Sequence, residues 1–173
     1  AAKANKLNVT CSVAIHNLLL TDDVLFSFDA NFKVLPPLRT QKDCDALIEG
    51  IKDGTIDMVT TDHNPIDIED KKIEFDYAKY GTIGLESAFG ALQTIFTTKK
   101  AVSLLTQGKN RFGISESSIN EGEYANLSLF NPDTSYEFGK IHISSKSKNS
   151  AFLGTTLKGK TYGIIANNKI VLK

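Results

Sequence analysis

Residues 56–65, with the sequence IDMVTTDHNP, constrain this chain most, because an apolar run ends there abruptly in an acid and an imidazole. The run is typical of a buried strand, and Pro65 breaks the pattern directly after it. Asp62 and His63 can both bind a metal or transfer protons. Enzymes built on parallel barrels or sheets place their catalytic groups at strand ends of this kind. The segment therefore predicts an active site at the tip of a strand.

The composition argues against several classes of protein. Twenty basic residues balance twenty acidic ones, so no net field attracts nucleic acid or an anionic membrane. No apolar run reaches the ~20 residues of a membrane helix, and no signal peptide is visible. Two thiols, Cys11 and Cys44, are more typical of a reducing cytosol than of a disulfide scaffold. We therefore expect a cytoplasmic protein.

The first third of the chain predicts a strand, a helix and a second strand. Residues 7–15 alternate between apolar and small polar side chains, as a strand does. Thr40, with Asp43 three residues later, predicts the start of a helix that ends near Gly54. A strand over residues 56–61 follows at once. This order predicts a parallel βαβ unit.

The later segments predict a change of architecture. Residues 66–80 have no clear period and predict a long loop. Helical spacing predicts helices from Gly84 to about residue 96 and over 101–107. After Gly113 the sequence predicts a short strand over 125–130, ended by Asn131-Pro132-Asp133, and a polar, mobile stretch over 144–150. A hairpin turning at Asn167-Asn168 completes the pattern. We expect an α/β piece over residues 1–113 and a small β piece over 114–173.

Several motifs occur together in the order found in one family. They are PPLRT at 36–40, ALIEGIKDGTID at 46–57, TDHNP at 61–65, YGTIGLES at 80–87, EG at 121–122, ANLSLF at 125–130 and GK at 159–160. The set resembles the dihydroorotases of the amidohydrolase superfamily over nearly the whole chain. Hydantoinases and allantoinases share the Asp-His strand tip, but residues 36–39 and 84–86 resemble dihydroorotase more.

This resemblance implies a fold and a place within it. The family fold is a (β/α)₈ barrel, which usually takes ~250 residues, with a small β domain built from both chain ends. The chain would supply the C-terminal part of the barrel, with its last two strands at 7–15 and 56–61. A share of a composite β-sandwich would follow. The other zinc ligands, including a His-x-His motif, would lie upstream.

The resemblance also implies roles for individual residues. Asp62 would be a zinc ligand and the general base, taking a proton from metal-bound hydroxide and passing it to the leaving nitrogen. On sequence alone, an aspartate that caps a loop or pairs with a lysine is an open alternative. Tyr80 and Gly81 match substrate-binding positions, and a glycine lets a main-chain N–H approach a carboxylate. A plain turn glycine is equally compatible with the sequence.

The three histidines are expected to have supporting roles. Because neighbours on a strand face opposite sides, we expect His63 to be a supporting, hydrogen-bonded residue rather than a metal ligand. His16 lies where the family commonly has Pro-His-His, and we expect it to be buried and hydrogen-bonded, with a functional role as the alternative. His142 lies in a polar region, and we expect it to be exposed.

Two departures from the family pattern leave two hypotheses open. Leu35 and Ile66 replace an asparagine and a histidine that contact the substrate in the family, and each unpaired polar group costs about 1–3 kcal/mol. One hypothesis is a zinc enzyme that interconverts N-carbamoyl-L-aspartate and dihydroorotate in pyrimidine biosynthesis. The other is a non-catalytic dihydroorotase-like scaffold, for example for aspartate transcarbamoylase, or a cyclic amidohydrolase with another substrate.

The chain by itself is expected to be inactive. A single aspartate cannot hold a catalytic zinc, which takes about three protein ligands and a water. Part of a barrel also exposes strand edges. We therefore expect a homo-oligomer or pairing with the missing barrel portion, and a small molecule as the substrate of the complete protein.

Overall fold

The computed structural model of the chain describes residues 2–114 and 119–172. The chain divides into two compact units, each made of two segments. The first comprises Ala1–Ala88 and Phe138–Thr155, and the second comprises Phe89–Glu137 and Thr156–Lys173. The domain division predicted between residues 113 and 114 stays a prediction.

The first unit contains the predicted parallel pair of strands. β1 (Ser12–Ala14) pairs in parallel with β2 (Met58–Thr60), and Ala14 lies opposite Thr60. Helices α1 (His16–Leu19) and α2 (Gln41–Lys52) connect the strands. The βαβ prediction is thus confirmed. Both strands are shorter than predicted, because each has one pairing neighbour among the described residues and its flanks lack a ladder.

The start of α2 follows the predicted signals. The Thr40 side chain accepts a hydrogen bond from the N–H of Asp43, and the Asp43 carboxylate accepts one from the N–H of Thr40. This reciprocal cap satisfies two amides that would otherwise lack partners at the helix start. Gly54 follows the helix end with a φ of 81°, as a C-terminal glycine does.

The remaining backbone of the first unit is mostly irregular. Three short 3₁₀ helices cover Asp22–Ser27, Ala30–Phe32 and Lys140–His142. Residues 66–80 contain neither helix nor strand, so the loop prediction is confirmed. The core is apolar and includes Ile15, Leu18, Ile51, Ile83, Phe138 and Phe152.

The helices of the second unit begin at other residues than predicted. α3 spans Ala88–Ile95, and its first residue belongs to the first unit. It starts four residues later than Gly84, because residues 85–87 form a turn in which Leu85 is exposed. α4 (Thr98–Thr106) is capped by the Thr97 side chain, and the short α5 (Gly108–Arg111) follows.

An antiparallel sheet completes the second unit. Its order is β3 (Leu127–Glu137), β4 (Thr156–Ala166) and β5 (Lys169–Leu172). The predicted end of β3 before Pro132 is wrong. A register shift between Asn131 and Ser135 places Pro132 in a bulge, where its missing N–H breaks no ladder bond.

The predicted hairpin between β4 and β5 is confirmed. Asn167 and Asn168 connect the strands with φ values of 52° and 57°, which is the geometry of a two-residue type I′ turn. The composite sandwich to which this sheet would belong stays a prediction.

In residues 2–114 and 119–172, no helix is long and apolar enough to cross a membrane. Cys11 and Cys44 are both free thiols.

Candidate active site

The parallel pairing of β1 and β2 brings two functional groups to the same sheet edge. Ala14 and Thr60 are register partners at the ends of their strands. His16 and Asp62 each follow two residues later, and the charge of Asp62 acts on the His16 ring. Because parallel strands present their carboxyl ends at one edge, this pair marks the candidate site.

The backbone at Asp62 has an unusual conformation. Its φ is 45°, in the left-handed region that a residue with a Cβ adopts at a cost of roughly 1 kcal/mol. The side chain is half-buried. Among the described residues, its carboxylate has neither a hydrogen bond nor an ion pair, so neither a loop cap nor a lysine pair is present there. An acid held this way is available to a group that this part of the chain does not supply.

His16 is buried without hydrogen bonds. The side chain is 0% exposed, and neither ring nitrogen bonds to a described residue. Burial lowers the pKa of His16, although the Asp62 charge and the Pro36 carbonyl act in the opposite direction. The expected burial is confirmed. The Pro36 backbone acts on the ring, but neither nitrogen meets the distance and angle of a hydrogen bond, so the ring is not satisfied as expected. Buried polar atoms normally have partners, so this ring is a second candidate for an external group.

His63 supports the strand tip, as predicted. Its Nδ1 accepts hydrogen bonds from the N–H groups of Gly84 and Leu85, both at 3.2 Å. Because Nδ1 accepts, the ring proton of the neutral form lies on Nε2. A parallel bridge joins the backbones of His63 and Thr82. The strand ends at Thr60, so these bonds, and not strand alternation, fix the orientation of the ring.

The N–H of Gly81, which was predicted to contact substrate, has a backbone partner in this structure. That N–H donates to the Lys33 carbonyl at 2.9 Å, so it is already engaged. The φ of Gly81 is 138°, and a Cβ there would lie 2.5 Å from Asn64 Nδ2, which explains the glycine sterically. Tyr80 is 52% exposed, and its ring centroid lies 4.8 Å from Lys33 Nζ. Substrate contacts by Tyr80 and Gly81 stay predictions.

Asn149 organises the loop after the strand tip, a role that no sequence pattern indicated. Its Nδ2 donates to the carbonyls of Asn64 at 3.1 Å and Gly81 at 3.2 Å. Its Oδ1 accepts from the Ile66 N–H at 3.1 Å and from Ser147 Oγ at 2.6 Å. Asn149 is 5% exposed, so the expectation of a merely polar, mobile stretch over 144–150 is wrong at this residue.

Two buried lysines attach the loop over residues 66–80, and neither was predicted. Lys33 Nζ donates to the carbonyls of Phe75 at 2.8 Å and Asp76 at 2.9 Å. Lys71 Nζ donates to the Ala30 carbonyl at 2.8 Å. Both ammonium groups therefore bind backbone oxygens rather than carboxylates.

Three other residues that the sequence analysis considered have different environments. Leu35 is 63% exposed. Ile66 is held through its backbone, whose carbonyl also accepts a hydrogen bond from Ser147 Oγ. His142 is half-buried rather than exposed: its Nδ1 accepts from the Gly139 N–H at 3.0 Å, and its ring stacks on Phe138.

The described residues do not form a zinc site on their own. In ranges 2–114 and 119–172, no three His, Cys, Asp or Glu side chains gather as a metal site. Asp62 and His16 supply two groups, whereas a catalytic zinc takes about three protein ligands. A metal at this strand tip would need ligands from residues other than these.

The chain is similar to dihydroorotases over almost its full length. It is 42% identical over 179 residues to the dihydroorotase of Caldicellulosiruptor saccharolyticus, covering 99% of this chain and 42% of that protein. It is 40% identical to the dihydroorotase of Caldanaerobacter subterraneus subsp. tengcongensis, covering 98% of this chain and 41% of that protein. The chain thus spans about two fifths of the length of these relatives. No family model matches it.

Solved structures share the fold at lower identity. The L-hydantoinase of Arthrobacter aurescens superposes with a TM-score of 0.88 at 23% identity, over 99% of this chain and 41% of that protein. An inactive dihydroorotase-like domain of the Chaetomium thermophilum CAD-like multifunctional protein has a TM-score of 0.67 at 20% identity, over 99% of this chain and 48% of that one. The chain therefore shares the fold of slightly less than half of each of these proteins.

Proposed function

We infer that this chain, homologous to about two fifths of a dihydroorotase, is part of an amidohydrolase that acts on a cyclic amide. In this proposal the complete protein interconverts N-carbamoyl-L-aspartate and dihydroorotate in pyrimidine biosynthesis. The observation that carries the proposal is the half-buried Asp62 carboxylate, which follows the end of a parallel strand by two residues and has no hydrogen bond or ion pair among the described residues.

Zinc belongs to the proposal for the complete protein and not to this chain. Asp62 would be one ligand, and the remaining ligands would come from residues outside the chain, since within residues 2–114 and 119–172 no three potential ligands gather at a metal site. Bound zinc supplies Lewis acidity and lowers the pKa of a bound water. The role of this chain in the proposal is to hold the Asp62 carboxylate in place. His63 contributes by accepting hydrogen bonds from the turn that follows.

A non-catalytic scaffold is the second candidate function. Leu35 and Ile66 are aliphatic at positions where the resemblance implies polar substrate contacts, and the Gly81 N–H is engaged by Lys33. One structural neighbour is itself described as an inactive dihydroorotase-like domain. In this proposal the barrel assembles with a partner such as aspartate transcarbamoylase. A related alternative is an enzyme that accepts another cyclic amide, such as a hydantoin.

The first experiment tests the chain by itself. We expect the purified 173-residue chain, supplied with zinc, to show no turnover of dihydroorotate in a spectrophotometric assay, because it offers too few zinc ligands. Clear turnover above a zinc-only blank would contradict this expectation.

The second experiment tests the complete protein that contains this chain. Asp62→Asn keeps the shape of the side chain but removes its charge and basicity, so hydrolysis should fall by at least about a hundredfold. Asp45→Asn, on the exposed face of α2, is the matched control and should keep full activity. Equal activity of both variants would refute the role of Asp62. No activity in the unmodified protein, with stable binding to aspartate transcarbamoylase, would favour the scaffold.

A further inference from the structure

The first unit contains a basic cavity that the proposed function does not use. Its volume is about 680 Å³, within the range of small-molecule sites. Asp62, His63 and His16 are absent from its lining. The walls come from the segment near Asn31, from the loop after Pro65 and from the segment before Leu153.

Lysines dominate the charge of this cavity. Five of them line it, against the two carboxylates of Asp29 and Asp67; they are Lys71, Lys72, Lys140, Lys146 and Lys148. The chain as a whole has a formal net charge of zero. An excess of three positive charges around one concave surface is therefore a local feature, and concave walls of low dielectric focus such a field.

The two more buried lysines are held by backbone oxygens. Lys71 Nζ donates to the carbonyls of Ala30 at 2.8 Å and Lys33 at 3.3 Å, and Lys148 Nζ donates to the Ile143 carbonyl at 2.8 Å. An ammonium group has three N–H donors, so each has donors left. Carbonyl oxygens orient these groups but leave their positive charges unneutralised.

The other three lysines have no partner within the described residues. Lys72, Lys140 and Lys146 are exposed, and their ammonium groups make neither a hydrogen bond nor an ion pair there. Asp29, in contrast, already accepts a hydrogen bond from the Asn31 N–H at 2.8 Å. The two carboxylates of the lining therefore offset only part of the positive charge around the cavity.

We propose that this cavity binds a small organic phosphate, whose phosphate groups contact the lysines. Phosphate provides several negative oxygens for ammonium donors that come from two of these segments, the loop after Pro65 and the segment before Leu153. Ile66, Ile68 and Leu153 provide an apolar wall on which the organic part packs. Ile66 is the one lining residue that the resemblance places at a substrate contact; the lysines have no part in the proposed function, so either proposal can fail without the other.

The test uses inorganic pyrophosphate as the probe for the phosphate-binding part of the site. Isothermal titration at fixed ionic strength should show saturable binding to the whole chain. Lys72→Ala/Lys140→Ala/Lys146→Ala should weaken binding at least about tenfold, because three charges at short range are removed. Lys6→Ala/Lys42→Ala/Lys99→Ala removes the same charge from surface sites outside the cavity lining and should leave the affinity unchanged.

A second measurement locates the ligand. Pyrophosphate should shift the methyl resonances of Ile66, Ile68 and Leu153, and leave those of Ile164 and Ile170 in the second unit unchanged. Adenosine monophosphate should bind in the same cavity and shift the resonances of the same methyl groups further, because its organic part packs against them. No saturable binding, or equal loss of affinity in both triple variants, would overturn the proposal by showing that any attraction is non-specific.

Discussion

The substitution Gly84→Ala should destabilise the first unit, because the added methyl group meets the backbone of the strand tip. A Cβ at Gly84 would lie 2.1 Å from the Thr61 carbonyl oxygen and 3.1 Å from its carbon. Ordinary C···O contacts are about 3.3 Å or longer. The two segments must therefore separate by roughly 1.2 Å, and neither can move by a simple side-chain rotation.

Two destabilising effects and one stabilising effect determine how much Gly84→Ala changes the free energy of unfolding. Overpacking costs about 1–3 kcal/mol, and more when the backbone must move. Separation also weakens the bond from the Gly84 N–H to His63 Nδ1, worth about 1 kcal/mol. Alanine restricts the unfolded chain and returns about 0.4–1 kcal/mol. We expect a net loss of about 2–4 kcal/mol in the free energy of unfolding.

Gly139→Ala is the matched control for this experiment. Gly139 also lies in the first unit, its φ is −125°, and nothing lies within 4 Å of a Cβ built on it. Its alanine variant should therefore match or slightly exceed the original stability. Urea denaturation followed by circular dichroism compares the two variants. A difference below about 0.5 kcal/mol would refute the steric argument.

Two further substitutions test the buried polar groups of the first unit. Asn149→Ala should cost about 3 kcal/mol, because it leaves buried backbone groups unpaired, whereas exposed Asn126→Ala should be nearly neutral in the same urea titration. Burial, and then the charge of a neighbouring lysine, lowers the pKa of Lys71 from 10.5 to about 8. Between these pH values the unfolded state binds more protons, so the free energy of unfolding should rise with pH by up to about 3 kcal/mol. Lys71→Met should remove this rise and exposed Lys42→Met should keep it; identical pH profiles for the two variants would contradict the assignment.

Features that depend on neighbouring residues were predictable from the sequence. Thr40 and Asp43 cap each other across one helical turn, and Asn167-Asn168 closes a hairpin between adjacent strands. The chemistry of each signal lies within a few residues, so no knowledge of distant contacts was needed. The tip of β2 was also predictable, because an apolar run followed by an acid is a local pattern as well.

Features that depend on distant partners were not predictable. Asn149 bonds to Asn64 and Gly81 across 85 and 68 residues of sequence. Nothing in the polar stretch around it distinguishes its side chain from the polar side chains beside it in the sequence. The burial of Lys71 could not be predicted either, because it lies in a charged loop and its partner, the Ala30 carbonyl, is 41 residues away in the sequence. The prediction at Pro132 was wrong for the opposite reason. A proline is a strong local signal for the end of a strand, but a bulge in the sheet accommodates this one.

The conformation of Asp62 is determined by contacts on both of its sides. Before it, the Thr60 carbonyl accepts a hydrogen bond from the Ile15 N–H at 3.0 Å, which ties the strand end to β1. After it, His63 is bridged to Thr82 and bonded to the turn at Gly84. A left-handed aspartate persists only where its surroundings fix both flanks. Because these flanking contacts lie within this chain, we expect the strand tip to keep its geometry even where the other metal ligands are missing.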